Sequence, residues 1–182
     1  MNLSDRELMS LYRSGKREEA FNALVDSYKE RLYWHIRRLT CSHEDADDLL
    51  QETFVKIWTS LDSFREASSL YTWVYRIATN EALNFLRRQK VRAALTFAAP
   101  LDETLCRKID SDPYFNGNEL QRRLHKAIQK LPPKQRTVFL LRYFDELSYD
   151  DISRITGTSV GSLKASYHHA YVKIKEEMQK YF

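Results

Sequence analysis

A chain of 182 residues with only four glycines and four prolines has few places to turn. Average proteins carry roughly 12% of the two together. Sandwiches and barrels of short strands need turn residues every few positions, so this scarcity argues against an all-β fold and for long helices. Apolar residues make up 43% and charged residues 30% of the chain, enough for a core and too apolar for general disorder. The longest unbroken apolar run is Val138 to Leu141, far short of a membrane span. The first residues, Met1-Asn2-Leu3-Ser4-Asp5-Arg6-Glu7, lack signal-peptide character. Two cysteines, Cys41 and Cys106, are too few for a disulfide framework or a Cys-rich zinc site. The expectation is a soluble, intracellular, all-α protein with no membrane insertion.

The net charge of +4 says little by itself; its distribution says more. Cys41 to Glu52 carries five acids and no Lys or Arg. Arg87 to Arg92 holds Arg87, Arg88, Lys90 and Arg92 with no acid, and Ile152 to Lys175 holds Arg154, Lys164, Lys173 and Lys175, again with no acid. One acidic and two basic stretches suit partners of opposite sign met at different places.

Apolar spacing divides the chain. Ser4-Asp5-Arg6-Glu7 is a capping box opening a first helix, broken at Ser14-Gly15. Phe21, Leu24, Val25, Tyr28, Leu32 and Ile36 mark a second helix. A third starts near Ser42, with Leu50, Phe54, Ile57, Trp58 and Leu61 as its stripe, and a fourth runs over 70–90. Between 91 and 118 the pattern fails at Pro100, Asp112-Pro113 and Asn116-Gly117-Asn118, so this stretch reads as a flexible linker across which the halves need not share a core. Helical spacing resumes at Leu120, Leu124, Ile128 and Leu131, restarts at Pro133, and continues through a short helix with Ile152 and Ile155. After Gly157, a last helix carries Leu163, Tyr167, Ala170 and Ile174 as its buried stripe. The expected layout is four helices over 1–90, a linker over 91–118, and four helices over 119–182, the last two forming a helix-turn-helix.

Off its buried stripe the last helix presents Ser162, Lys164, Ala165, Ser166, His168, His169 and Lys173. Small residues permit approach to base edges, and Lys and imidazole donors meet phosphate. An ordinary solvated face usually mixes both charge signs, which favours DNA here. The acids Glu44, Asp45, Asp47, Asp48 and Glu52 suit either the positive end of a helix dipole or a basic partner. A metal site is disfavoured, since only residues three or four apart share a helix face and no Asp-rich loop with a turning Gly is present. The fourth helix has two apolar stripes: Leu70, Trp73, Val74 and Ile77, then Tyr71, Tyr75, Ala78, Ala82 and Leu86. Either a neighbour covers the second stripe, the favoured reading, or aromatics surface beside Arg65 and Arg76 to stack on single-stranded bases. No nucleophile–base set and no phosphate-cradling Gly loop occurs, so neither catalysis nor a cofactor is expected.

Asp48-Leu49-Leu50-Gln51-Glu52-Thr53-Phe54-Val55-Lys56-Ile57-Trp58 resembles region 2 of bacterial RNA-polymerase sigma factors. Phe64 and Tyr71-Thr72-Trp73-Val74-Tyr75-Arg76-Ile77-Ala78-Thr79-Asn80 continue that pattern. Leu131-Pro132-Pro133-Lys134-Gln135-Arg136 and Leu147-Ser148-Tyr149-Asp150-Asp151-Ile152 resemble region 4. With only these two regions, the chain resembles the extracytoplasmic-function (ECF) group. The resemblance implies that Asp48, Leu49, Gln51, Glu52 and Phe54 dock on the polymerase core. It implies that the loop 62–69 with Ser63, Phe64, Arg65, Trp73, Arg76 and Asn80 captures a flipped base of the minus-ten element. It places Ser162, Lys164, Ala165, Ser166, His168 and His169 in the major groove of the minus-thirty-five element. Core polymerase, promoter DNA and an anti-sigma factor are the implied partners, and the cytoplasm the implied compartment. One departure stands out: where the family usually has Lys-Ser-Arg and a later Arg on the last helix, this chain has Lys164-Ala165-Ser166 and His169. The rivals are a stand-alone helix-turn-helix regulator with a helical sensor half, and a helical enzyme using the Glu44–Glu52 carboxylates with a divalent metal.

Overall fold

A computed structural model describes residues 3–65, 68–115 and 117–181. Among them are nine α-helices and no strand: α1 (Asp5–Arg13), α2 (Arg17–Thr40), α3 (His43–Ser60), α4 (Leu70–Leu95), α5 (Leu101–Ser111), α6 (Glu119–Gln129), α7 (Pro133–Tyr143), α8 (Tyr149–Thr156) and α9 (Val160–Gln179). Six of these begin where the spacing of polar residues provides a cap. Ser4, Ser42, Ser69, Asn118, Ser148 and Ser159 each accept a hydrogen bond from a first-turn backbone N–H, satisfying a donor the helix itself leaves orphaned. α7 starts instead with Pro133, whose missing N–H costs nothing there. Gly157 ends α8 at φ +69°, a left-handed conformation that strains any residue with a side chain, and so makes the tight turn into α9.

α2 is the axis of the first unit, with Leu24, Leu32, Ile36 and Leu39 fully buried against α1, α3 and α4. In the second unit α9 packs on α6, α7 and α8 through Leu163, Ala170 and Ile174. The stretch expected to be a flexible linker differs from that expectation. α4 continues to Leu95, and α5 buries Leu105 and Ile109 completely, followed by buried Phe115. Leu101, Leu105 and Ile109 recur every four residues, but the run is only three residues long and ends at Pro113, so periodicity alone did not single it out.

The two units also share one buried cluster. α4 is packed by α2, α3 and α8, so its second stripe is covered: Tyr75, Ala78, Ala82 and Leu86 are buried and Tyr71 is half-buried. Polar contacts span the junction. His35 is fully buried, its Nδ1 2.8 Å from Asp145 and its Nε2 2.9 Å from Thr79. Arg38 reaches the same Asp145 at 3.3 Å, Thr72 donates to Asp151 at 3.0 Å, and Gln129 donates to the Arg38 carbonyl at 3.1 Å. The intervening segment joins in: Arg37 pairs with Asp112, and Lys108 with Asp45 at 2.7 Å.

His125 lies between Phe115 and Phe144, with ring centroids 4.8 and 5.8 Å away. Burial, and then the nearby Arg38 charge, push its pKa down to about 4. Below about pH 6.5 the unfolded chain binds a proton that the folded chain refuses, so this group's share of stability falls as pH drops from about 6.5 to about 4. The expected loss between pH 7 and 4.5 is about 2 kcal/mol. Urea denaturation at both pH values, compared with His125→Phe, isolates it: the variant should lose that much less stability on acidification.

Candidate functional site

α3 lays its inner line, Ala46, Leu49, Thr53 and Ile57, into the core. Asp48, Gln51 and Glu52 are three and four residues apart and therefore share the opposite, exposed face. Leu49 is 2% exposed, so it supports the helix from within rather than offering a contact, a correction to its expected docking role. Phe54 is half-buried, edge-on to Phe21 at 6.3 Å. Val55, 62% exposed, extends the outer face one turn further. Val55 lies off the apolar stripe read from the sequence, where it figures only within the region 2 motif. Asp45, by contrast, is tied to Lys108 and faces the α5 side.

A second set lies where α3 passes into α4 through a short 3₁₀ turn, Leu61–Ser63. Ser63 and Arg65 are exposed, while Phe64 is 9% exposed and rests on half-buried Trp73 with centroids 5.4 Å apart. Trp73 braces the segment from within. Arg76 and Asn80 are exposed one turn apart on α4. Residues 66 and 67 of the expected capture loop lie outside the described residues. The Asp62 carboxyl is held below the usual carboxylate range by hydrogen bonds from Tyr12 and then Arg17. Lys56 pairs with the buried Glu81 at 2.5 Å, fastening α3 to α4 close to Asn80.

The third set is on α9. Ser162, Lys164, Ala165, His168 and His169 are exposed and Ser166 is half-buried. No carboxylate interrupts the helix from Val160 to Lys175. Lys164 Nζ lies 5.8 Å from the Tyr149 ring centre.

The tertiary structure brings one member of the second set, Asn80, to a cleft shared with Ser162 and Ser166 of the third, while the other members of both sets lie outside it. Asn80, Arg87 and Lys90 of α4 line a cleft of about 530 Å³ whose other wall includes Arg136, Ser162 and Ser166. The first set lies elsewhere, on the outside of α3. Among the described residues, no three His, Cys, Asp or Glu side chains converge as a metal-ligand set, and no helix is long and apolar enough to cross a membrane.

An all-α chain ending in a helix-turn-helix with a cationic, carboxylate-free outer face has the form of a DNA-binding protein of transcription. Comparison with known proteins is specific. The family model for sigma-70 region 2 matches residues 24–92 and that for sigma-70 region 4 matches residues 121–174. The ECF RNA polymerase sigma factor SigW of Bacillus subtilis is 31% identical, over 89% of this chain and 90% of its own. The ECF RNA polymerase sigma-E factor of Haemophilus influenzae is 33% identical, over 97% and 96%. A solved complex of the sigma factor RpoE with the anti-sigma factor NepR, from Bartonella quintana, matches with a TM-score of 0.66 at 25% identity, covering 87% of this chain and 96% of that one. The fold of CnrH, solved with the cytosolic domain of CnrY, matches over 98% of this chain and 99% of that one, with a TM-score of 0.71 at 24% identity. The chain belongs to the ECF group of RNA polymerase sigma factors. It binds core polymerase and directs promoter-specific initiation of transcription.

Proposed function

We propose that the three faces divide this work among two modules, 1–90 and 119–182, connected by 91–118. Asp48, Gln51 and Glu52, with Phe54 and Val55 beside them, dock on a basic surface of core polymerase. Ser63, Arg65, Arg76 and Asn80, braced from within by Phe64 and Trp73, receive the extruded base of the minus-ten element, whose unstacking costs a few kcal/mol that contacts must offset. Ser162, Lys164, Ala165, Ser166, His168 and His169 enter the major groove of the minus-thirty-five element. The chemistry belongs to polymerase, so the chain is not itself an enzyme, and it works in the cytoplasm. The observation that carries this reading is the separation of an exposed acidic face on α3 from the cationic stretch 160–175 of α9, which holds no carboxylate.

The closed arrangement sets a condition on it. The two promoter elements lie some 25 base pairs apart, roughly 80 Å at about 3.4 Å per pair. A packed chain of this length has a radius of gyration of about 16 Å, hence a diameter near half that distance. The major groove, about 12 Å wide, must also admit α9, whose Ser162 and Ser166 line a cleft against α4. Both elements can be read only after the modules part. An anti-sigma factor, such as the one that holds the related Bartonella sigma factor, would act on this chain by keeping the modules together.

Transcription in vitro with core polymerase and genomic fragments, followed by start-site mapping, tests the reading. Specific starts that depend on the added chain support it, and their absence removes it. The stand-alone regulator is told apart by a gel shift: sequence-specific binding by the free chain, unaffected by core polymerase, would favour that rival. Lys164→Ala in the holoenzyme should weaken binding to all minus-thirty-five sequences about equally and lower the salt slope by about one unit, one phosphate contact. An unchanged slope places Lys164 away from DNA.

A further inference from the structure

α1 lies outside both matched regions and carries none of the three faces. It nevertheless touches both ends of the segment joining α3 to α4. At the first end, Tyr12 donates its hydroxyl proton to Asp62 Oδ1 at 2.7 Å. Arg17, at the start of α2, donates to Asp62 Oδ2 at 2.5 Å and to the Tyr12 hydroxyl at 2.6 Å. At the second end, Asp5 Oδ2 accepts from the Tyr71 backbone N–H at 3.3 Å, while its Oδ1 accepts from the Tyr28 hydroxyl at 2.6 Å. The Tyr71 N–H is a first-turn donor of α4 that the helix cannot satisfy, at the end where the dipole favours a carboxylate. Ser69 serves the neighbouring Thr72 N–H.

The register makes these two grips one device. Asp5 and Tyr12 are seven residues apart, two turns, and so lie on the same side of α1. Their spacing along the helix is then fixed at about 10 Å by a rise of about 1.5 Å per residue. Leu8, Met9 and Tyr12, all buried, hold α1 against the rest of the unit. Residues held beside such fixed points, here 63–65 after Asp62 and the first turn of α4 at Tyr71, have less conformational freedom to lose when they meet a ligand, which is preorganisation.

We propose that Asp5 and Tyr12, together with Arg17, are positioning residues for minus-ten recognition: they set the separation and direction of Asp62 and Tyr71, and with them the placement of Ser63, Phe64 and Arg65 on one side and of α4 with Arg76 and Asn80 on the other. The proposal rests on the reading of those residues given above. It makes α1 part of the base-selection apparatus without touching DNA.

The test uses reconstituted holoenzyme and two promoter templates, one with the preferred minus-ten base and one substituted at the extruded position. Promoter opening is measured on both, with core affinity alongside. Tyr12→Phe keeps the buried ring and removes only the hydroxyl. Asp5→Ala removes the acceptor at the other end, and Asp5→Asn keeps an oxygen acceptor there. Tyr12→Phe and Asp5→Ala should each lower opening on the preferred template by about five-fold, the size of one ordinary hydrogen bond, with less loss on the substituted template. Discrimination therefore narrows, core affinity stays the same, and Asp5→Asn restores the ratio. An unchanged ratio overturns the proposal, whether opening stays normal or falls equally on both templates. Should Asp5→Ala fail to fold, Tyr12→Phe decides alone. If the unaltered holoenzyme opens no promoter at all, the reading of segment 62–70 fails first.

Discussion

Replacing Asp48 and Gln51 together with alanine should lower affinity for core polymerase by at least about a hundredfold. Both side chains are exposed on the outer face of α3 and bond to nothing that holds the fold together, while the inner line of the same helix stays untouched. Helical content and melting temperature should therefore be unchanged. A hot-spot residue costs about 2 kcal/mol or more when truncated, and two such losses on one face multiply to about a thousandfold if they act independently. The acid matters more than its neighbour, because losing one member of a charge pair leaves the partner's cation desolvated without a counter-charge. Titration of fluorescently labelled chain with core polymerase measures the loss. Normal affinity in a folded double variant would move the docking surface away from α3.

Asp145→Ala should open the molecule. This carboxylate, 5% exposed, is shared by His35 Nδ1 and Arg38 across the junction of the two units. Removing one partner of a buried ionic set typically costs 3–5 kcal/mol. Here the cost falls on the closed arrangement alone, because in an open chain His35 and Arg38 regain water. Closure should weaken by a factor of at least about thirty even if only 2 kcal/mol of that is realised. Small-angle scattering of the free variant should give a larger radius of gyration with helical content unchanged. Asp145→Asn, which keeps an oxygen acceptor, should open it less. An unchanged radius in Asp145→Ala would mean that apolar contact between α4 and α8 holds the units together without the polar set.

Local signals along the chain determine many of its helix boundaries, because helix starts and stops are short-range physics. Ser4, Ser42, Ser148 and Ser159 cap the helices they precede, and Gly157 supplies the left-handed residue of the turn between α8 and α9. The exposed cationic face of α9 was also legible, since charge bias and stripe register both lie within one helix. The opposite placements of Val55 and Leu49 were not, because both belong to the one stretch that resembles region 2. Only burial separates them.

What the sequence determined by itself, then, is a helical chain of two apolar-striped units with an acidic and a basic face on different helices. What only the tertiary structure decided is how those units meet: α5 packed where turn residues suggested slack, His35 and Asp145 joined over 110 positions, and Asn80 of α4 set across one cleft from Ser162 and Ser166 of α9. The reason is physical. Periodicity shows which side of a helix prefers to leave water, but not which distant surface will cover it. Polar partners far apart in the chain carry no local pattern that announces their pairing.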